Sequence, residues 1–70
     1  MHFAKVETSK RLQKVLALLQ DYRPLTTREI IREADVCAVN SIIGELRENG
    51  FQIICTHVKR GVFEYQLLPF

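Results

Sequence analysis

The hydrophobic residues of this chain change their spacing at Gly50. Before Gly50 they recur three and four positions apart, which is the period of an amphipathic helix. After Gly50 they alternate along the chain, which is the period of a strand with one buried face. Helical patterns followed by strand patterns are typical of the α+β class. Because 70 residues are too few for two ordinary domains, we expect one domain over residues 1–70.

Local signals divide this domain into an arm, three helices and a hairpin. The first helix is expected to use Thr8 or Ser9 as its N-cap. The segment Thr26 to Glu29 is a capping box at the start of the second helix. Asp35 tolerates the left-handed conformation of a tight turn, and Gly50 suits a helix end. The predicted ranges are residues 1–7 for the arm, 9–21, 27–34 and 38–49 for the helices, and 51–67 for the hairpin.

The two strands after Gly50 are best aligned by a three-residue loop, Lys59 to Gly61, in which Gly61 takes the left-handed position. The predicted cross-strand pairs are Ile53 with Leu67, Cys55 with Tyr65, and His57 with Phe63. The second helix is expected to bury Ile30, Ile31 and Ala34. Periodicity across all elements predicts one core, formed by Leu12, Leu16, Leu19, Ile31, Val36, Ile42, Leu46, Ile53 and Leu67.

Charge and cysteine content limit the classes of function. Ten Lys and Arg against eight Asp and Glu leave a net charge of +2, which is only mildly basic. The longest apolar run, Val15 to Leu19, is far shorter than the roughly 20 residues that cross a bilayer. Residues 1–7 lack the apolar run of a signal peptide. Two cysteines without a CxxC spacing predict no disulfide framework, so we expect a cytoplasmic protein.

Metal binding and catalysis are both disfavoured. Cys37, Cys55 and His57 would have only His2 to complete the four ligands of a structural zinc site. Free cysteines more often pack as small apolar residues. No serine, cysteine or histidine lies in a nucleophile motif with a base, and no glycine-rich phosphate loop is present. We therefore expect no enzyme activity, cofactor, metal or small-molecule substrate.

A short motif spans the third helix and the hairpin. It consists of Leu46, Arg47, Asn49, Gly50 and Ile53, closed by Tyr65 and Leu67. With the order of the elements, this motif indicates a winged helix-turn-helix domain, three helices followed by a two-stranded antiparallel wing. From about Ser9 onward the chain resembles the small helix-turn-helix proteins common in bacteriophages and prophages. The resemblance implies sequence-specific binding of double-stranded DNA in gene regulation or phage DNA metabolism.

In this fold the third helix enters the major groove of DNA. Its outward positions on a helical wheel are Cys37, Asn40, Ser41, Gly44, Glu45 and Glu48. Asn40 can form two hydrogen bonds with adenine, and Ser41 can bond bases or phosphates. Gly44 allows close approach of another surface. We expect Asn40, Ser41 and Gly44 to read bases. The alternative is that Asn40 and Ser41 are solvated residues of a first helical turn.

Several cations are candidates for phosphate contacts. Lys59 and Arg60 lie on the hairpin tip, where wings commonly contact the DNA backbone. Lys10, Arg11 and Lys14 lie in the first turns of the first helix, where positive charges oppose the helix macrodipole and so cost some stability. A phosphate partner would offset that cost. The alternatives are that the hairpin tip is an ordinary polar turn and that the first helix has a solvated basic face. Arg47 could likewise pair with surface acids. The candidate set is Lys10, Arg11, Lys14, Arg28, Arg47, Lys59 and Arg60.

Two observations favour other partners. Glu45 and Glu48 are unfavourable beside phosphates, so the alternative function is a winged-helix module whose third helix binds a protein. The chain also has more apolar residues than one small core can bury, and exposed apolar patches usually mark interfaces. A homodimer, which would read two half-sites, is therefore a candidate assembly. The surplus residues are Leu18, Ile54, Val58, Val62, Leu68 and Phe70, which need Phe3, Val6 or another molecule to cover them.

Overall fold

The computed structural model describes residues 5–69. Most of the predicted arm, including His2 and Phe3, lies outside the described residues, as does Phe70. The elements in chain order are α1 (Lys10–Leu19), β1 (Leu25–Thr26), α2 (Thr27–Ala34), α3 (Val39–Glu48), β2 (Ile53–Lys59) and β3 (Val62–Leu67). The first helix begins one residue later and ends two residues earlier than the predicted 9–21.

The sheet has three strands rather than the predicted two, in the order β1-β3-β2. The additional strand, β1, pairs antiparallel with β3 through Leu25 with Tyr65 and Thr26 with Glu64. Because β1 is only two residues long, it carries no alternating pattern by which the sequence could have predicted it. It joins the start of α2 to the hairpin.

The helix starts follow the predicted chemistry. The Ser9 hydroxyl accepts a hydrogen bond from the backbone N–H of Leu12 at 3.4 Å. At α2 both capping-box bonds form: the Glu29 N–H donates to the Thr26 hydroxyl at 3.1 Å, and the Thr26 N–H donates to the Glu29 carboxylate at 2.8 Å. Asp35, with φ of 53°, is left-handed as expected. These bonds fix where α1 and α2 begin.

The core lies between the three helices and one face of the sheet. Ile30 and Ala34 are one turn apart on α2 and are both buried. Ile31 is 43% exposed, so its predicted place in the core is wrong. One residue further along a helix turns the side chain away from that face. Leu16 and Val36 are only partly buried at the core edge. The buried residues are Leu12, Val15, Leu19, Ile30, Ala34, Val39, Ile42, Ile43, Leu46, Ile53, Tyr65 and Leu67.

The hairpin has the predicted register. Ile53 pairs with Leu67, Cys55 with Tyr65, and His57 with Phe63. The loop differs from the prediction, because Lys59 pairs with Val62 and the strand is irregular between His57 and Lys59. Gly61 has the expected positive φ, at 75°. The tip is thus a tighter turn than predicted.

Candidate nucleic-acid interface

Helix α3 buries one side and exposes the other. Val39, Ile42, Ile43 and Leu46 are buried in the core. Asn40, Ser41 and Glu48 are exposed, and Gly44 is half-buried. The helical period sets Ser41, Gly44 and Glu48 opposite the core, with Asn40 on one flank. The three predicted base-reading residues therefore share the outward side of α3, which we call the α3 face (Asn40, Ser41, Gly44 and Glu48).

Gly44 is not required by the packing of the domain. A Cβ atom added at Gly44 would meet no heavy atom within 4 Å among the described residues. Its backbone is regular helix, so no left-handed conformation demands glycine either. Glycine inside a helix costs about 1 kcal/mol relative to alanine. The folded domain alone offers no reason for that cost.

Glu45 lies away from the α3 face, so its predicted outward position is wrong. Its carboxylate pairs with the Arg11 guanidinium of α1 at 2.7 Å, and its side chain is only 17% exposed. Glu45 follows buried Ile42 by three positions, which turns it toward the neighbouring helix. Arg11 thereby neutralises the charge of Glu45, and Glu48 is the acidic residue left on the α3 face.

Arg47 holds α3 to the start of β2. Its Nε and Nη2 atoms donate to the Ile53 carbonyl oxygen at 3.0 and 2.8 Å. Hydrogen bonds from a charged donor are stronger than neutral ones. Arg47 thus has an intramolecular partner, the Ile53 carbonyl, whereas the sequence suggested that it contacts a phosphate or a surface acid. Its role in the motif is to connect the helix to the hairpin.

Asn49 holds the N-terminal segment against the end of α3. Its Oδ1 accepts from the Val6 backbone N–H at 3.0 Å, and its Nδ2 donates to the Glu45 carbonyl at 2.7 Å. The next residue, Gly50, has φ of 97° and ends the helix. The Arg-x-Asn-Gly part of the motif is therefore explained by folding.

Two of the predicted phosphate contacts line one groove between α2 and the hairpin. Arg28, in the first turn of α2, and Lys59, at the end of β2, both line it, beside the exposed side chains of Ile31 and Phe63. Arg60 occupies the adjoining turn of the hairpin. We call Arg28, Lys59 and Arg60 the wing cations.

The remaining candidates lie on α1. Lys10 and Lys14 line a shallow depression along that helix. Lys14 and Arg11 line a second depression together with Asp35 and Cys37, at the turn between α2 and α3. We call Lys10, Arg11 and Lys14 the α1 cations. They line different grooves from the wing cations, so the candidates other than Arg47 divide into two groups.

Another surface has cations that already have acidic partners. Arg23 pairs with Asp21 and Arg32 pairs with Glu33, each at 3.3 Å. These exposed pairs border a hollow between α1 and α2 that also contains Glu29. Its mixed charge makes it a poor phosphate surface and a natural reference for experiments.

Metal ligation has no support among residues 5–69, where no three His, Cys, Asp or Glu side chains come together as a metal site. Cys37 and Cys55 are exposed and free. The His57 ring stacks on Phe63, with centroids 4.6 Å apart. No helix in the described part of the chain is long and apolar enough to span a bilayer.

A short capped helix, a tight turn, a longer helix with one exposed face and a hairpin beside it define the winged helix-turn-helix class of domains. A family model described as a winged helix-turn-helix domain matches residues 11–66, and the chain belongs to that family. The match does not distinguish a phage or prophage subgroup, so phage type stays a prediction. No curated protein and no solved structure matches the chain.

Proposed function

We propose that this chain is a transcriptional regulator of phage or bacterial type that binds double-stranded DNA, with α3 in the major groove. The observation that carries the proposal is the composition of the α3 face. Asn40, Ser41 and Gly44 lie there together, while Glu45 is turned toward Arg11 and away from a docked duplex. Membership of the winged helix-turn-helix family supports DNA binding in general.

Each residue of the α3 face has a separate role in this proposal. The Asn40 amide offers one donor and one acceptor, which match N7 and N6 of adenine. The Ser41 hydroxyl bonds a base edge or the adjacent phosphate. Gly44 lets the middle of α3 approach the groove floor without an intervening side chain, which accounts for a glycine that the domain itself does not need.

The wing cations hold the DNA backbone in the proposed complex. Arg28 and Lys59 border one groove and Arg60 adjoins it, so three positive charges are available to one stretch of phosphates. Lys10 and Lys14 supply a second contact from α1. Arg11 contributes less, because its guanidinium already pairs with Glu45. Phosphate contacts of this kind set orientation and affinity rather than sequence preference.

A protein-interaction module is the second candidate. The groove between α2 and the hairpin exposes Ile31 and Phe63, at 43% and 42%. Apolar side chains rimmed by cations suit an acidic amphipathic peptide as well as a nucleic acid. In that case the groove, and not the α3 face, would be the binding surface.

Amide chemical-shift mapping separates the two candidates. Adding a mixed-sequence duplex to the isotopically labelled chain should shift amides from Asn40 to Gly44 and at the Arg60–Gly61 turn. The amides of Arg32 and Glu33 should stay unchanged as the internal reference. Absence of shifts along α3 at saturating duplex would contradict the proposal and favour the protein-interaction module.

A further inference from the structure

Strand β2 is an edge strand whose middle residues carry little protection. The sheet order β1-β3-β2 leaves one side of β2 without a strand neighbour among residues 5–69. From Ile53 to Val58 the strand contains no proline, lysine or acidic residue, and Lys59 ends it after the irregularity that follows His57. Natural edge strands usually carry such residues, because they prevent pairing with a second chain. The exposed residues Ile54 and Val58 add apolar surface, at 42% and 50% exposure.

The register with β3 determines which backbone groups face the open side. The Leu68 N–H donates to the Gln52 carbonyl at 2.9 Å. In an antiparallel ladder the hydrogen-bonding positions alternate, so Ile54 and Thr56 direct their backbone groups toward β3. Ile53 directs its groups toward the open side, where its carbonyl oxygen already accepts from Arg47. Cys55 and His57 also direct theirs toward the open side. These are the groups available to another strand.

We propose that β2 pairs antiparallel with β2 of a second copy of this chain, in a two-fold dimer centred on Thr56. In this register Cys55 and His57 of each copy exchange backbone hydrogen bonds with His57 and Cys55 of the other. Ile54 packs against Val58 of the second copy, and Thr56 packs against Thr56. The Thr56 pair is a closely spaced, non-hydrogen-bonded one, where side-chain contact is greatest. Val58 lies in the irregular stretch between His57 and Lys59, at the end of the paired segment.

The register centred on Thr56 uses more of β2 than a register centred one residue earlier. If one copy slides by two residues, the centre of the pairing moves to Cys55. Ile54 then lies opposite Thr56 of the second copy, and Val58 has no partner in the strand. Centring on Thr56 uses the whole segment from Ile54 to Val58 and places no two like charges opposite each other. The surplus apolar residues Ile54 and Val58 thereby cover one another.

The symmetry of such a dimer is compatible with DNA binding. Antiparallel strand pairing places the two-fold axis perpendicular to the sheet, so both copies keep their helices on the same side. The α3 helices of the two copies would therefore lie on one side of a continuous six-stranded sheet. The dimer itself does not depend on the proposed function, and it is tested without DNA.

A symmetric cross-link tests the register. In a background with Cys37→Ser and Cys55→Ser, Thr56→Cys chains should form a disulfide dimer under mild oxidation. The Cα atoms of a non-hydrogen-bonded pair lie about 4.5 Å apart, within the range that disulfides span. Glu64→Cys is the matched control, because it lies on the same sheet face but on the middle strand. Equal cross-linking of both variants would overturn the register.

Sedimentation equilibrium tests the assembly. The wild-type chain at high micromolar concentration should show twice the monomer mass. Cys55→Pro removes an N–H that faces the open side and spares the ladder with β3, so it should weaken association by at least about tenfold. Ile54→Lys, which puts a charge against Val58 of the second copy, should do the same. A monomeric wild-type chain, or dimers unaffected by both variants, would overturn the proposal.

Discussion

Gly44 is not explained by the packing of the fold, and in the proposed complex it lies against the DNA. The space around its Cα is open, and its helical backbone suits alanine. Gly44→Ala should raise the free energy of unfolding by up to about 1 kcal/mol, measured by thermal or chemical denaturation. The same change should weaken duplex binding, because a methyl group would then separate α3 from the groove floor. A stabilised variant with wild-type affinity would place Gly44 outside the interface.

Asn40 is expected to affect sequence preference rather than general affinity. Asn40→Ala should remove about 1–3 kcal/mol of discrimination at one base pair, because the two hydrogen bonds to adenine are lost. Selection from a random duplex library measures this as a flattened preference at that position. The salt dependence of binding should stay nearly that of the wild type. A uniform loss of affinity across all sequences would contradict a base-reading role.

Glu48 is the acidic residue of the α3 face whose charge opposes DNA binding in the proposed complex. It is exposed on the α3 face, where its charge would repel phosphates. Glu48→Gln should strengthen duplex binding by up to about fivefold, since a solvated charge pair is worth less than about 1 kcal/mol. Fluorescence titration at low salt measures the change. Weaker duplex binding by this variant would indicate that Glu48 accepts a hydrogen bond from the partner.

At the level of elements, the start of α2 depends on the capping box. The hydrogen bond from the Thr26 backbone N–H holds the pKa of Glu29 below its ordinary value of 4.5, assisted by the Thr26 hydroxyl. A carboxyl whose pKa is lowered by folding stabilises the folded state above its ordinary pKa. That contribution is lost as the pH falls through the lowered pKa. Stability should therefore decrease with acid in this window.

Two variants test this coupling. Thr26→Ala should lower the free energy of unfolding by about 1 kcal/mol at neutral pH, since an N-cap is removed. Glu29→Gln should make stability less dependent on pH below 4.5, which denaturant titrations at several pH values measure. Glu33→Gln is the control, because Glu33 is an exposed acid of the same helix. If Glu33→Gln changes the pH dependence of stability as much as Glu29→Gln does, the capping box is not its source.

Features fixed by local chemistry could be predicted from the sequence. The caps at Ser9 and Thr26, the turn at Asp35 and the hairpin register each depend on a few neighbouring residues. The side of a helix that a residue faces depends on the elements packed around it. For that reason Ile31 and Glu45 were placed wrongly by pattern alone, and the partner of Arg47 was not foreseen. The contact between β1 and β3 joins distant segments and left no periodic signal.

At the level of the whole molecule, two groups of candidate phosphate-binding cations line different grooves, and two further arginines pair with neighbouring acids. The wing cations border the groove between α2 and the hairpin, and the α1 cations border depressions along the first helix. Arg23 and Arg32 have carboxylate partners on another surface. A small net charge of +2 can therefore coexist with local surfaces that attract phosphates.

The salt dependence of duplex binding tests DNA binding most directly. Two matched variants, Lys59→Ala with Arg60→Ala and Arg23→Ala with Arg32→Ala, each lower the net charge from +2 to zero, because ten cations become eight against eight acids. The affinity of each for one duplex is measured from low to moderate salt. The first variant should flatten the slope of log affinity against log salt by up to about 0.9 per lost phosphate contact, while the second keeps the wild-type slope. Equal slopes for the two variants, or a wild-type chain without salt-sensitive duplex binding, would contradict the proposed role of the wing.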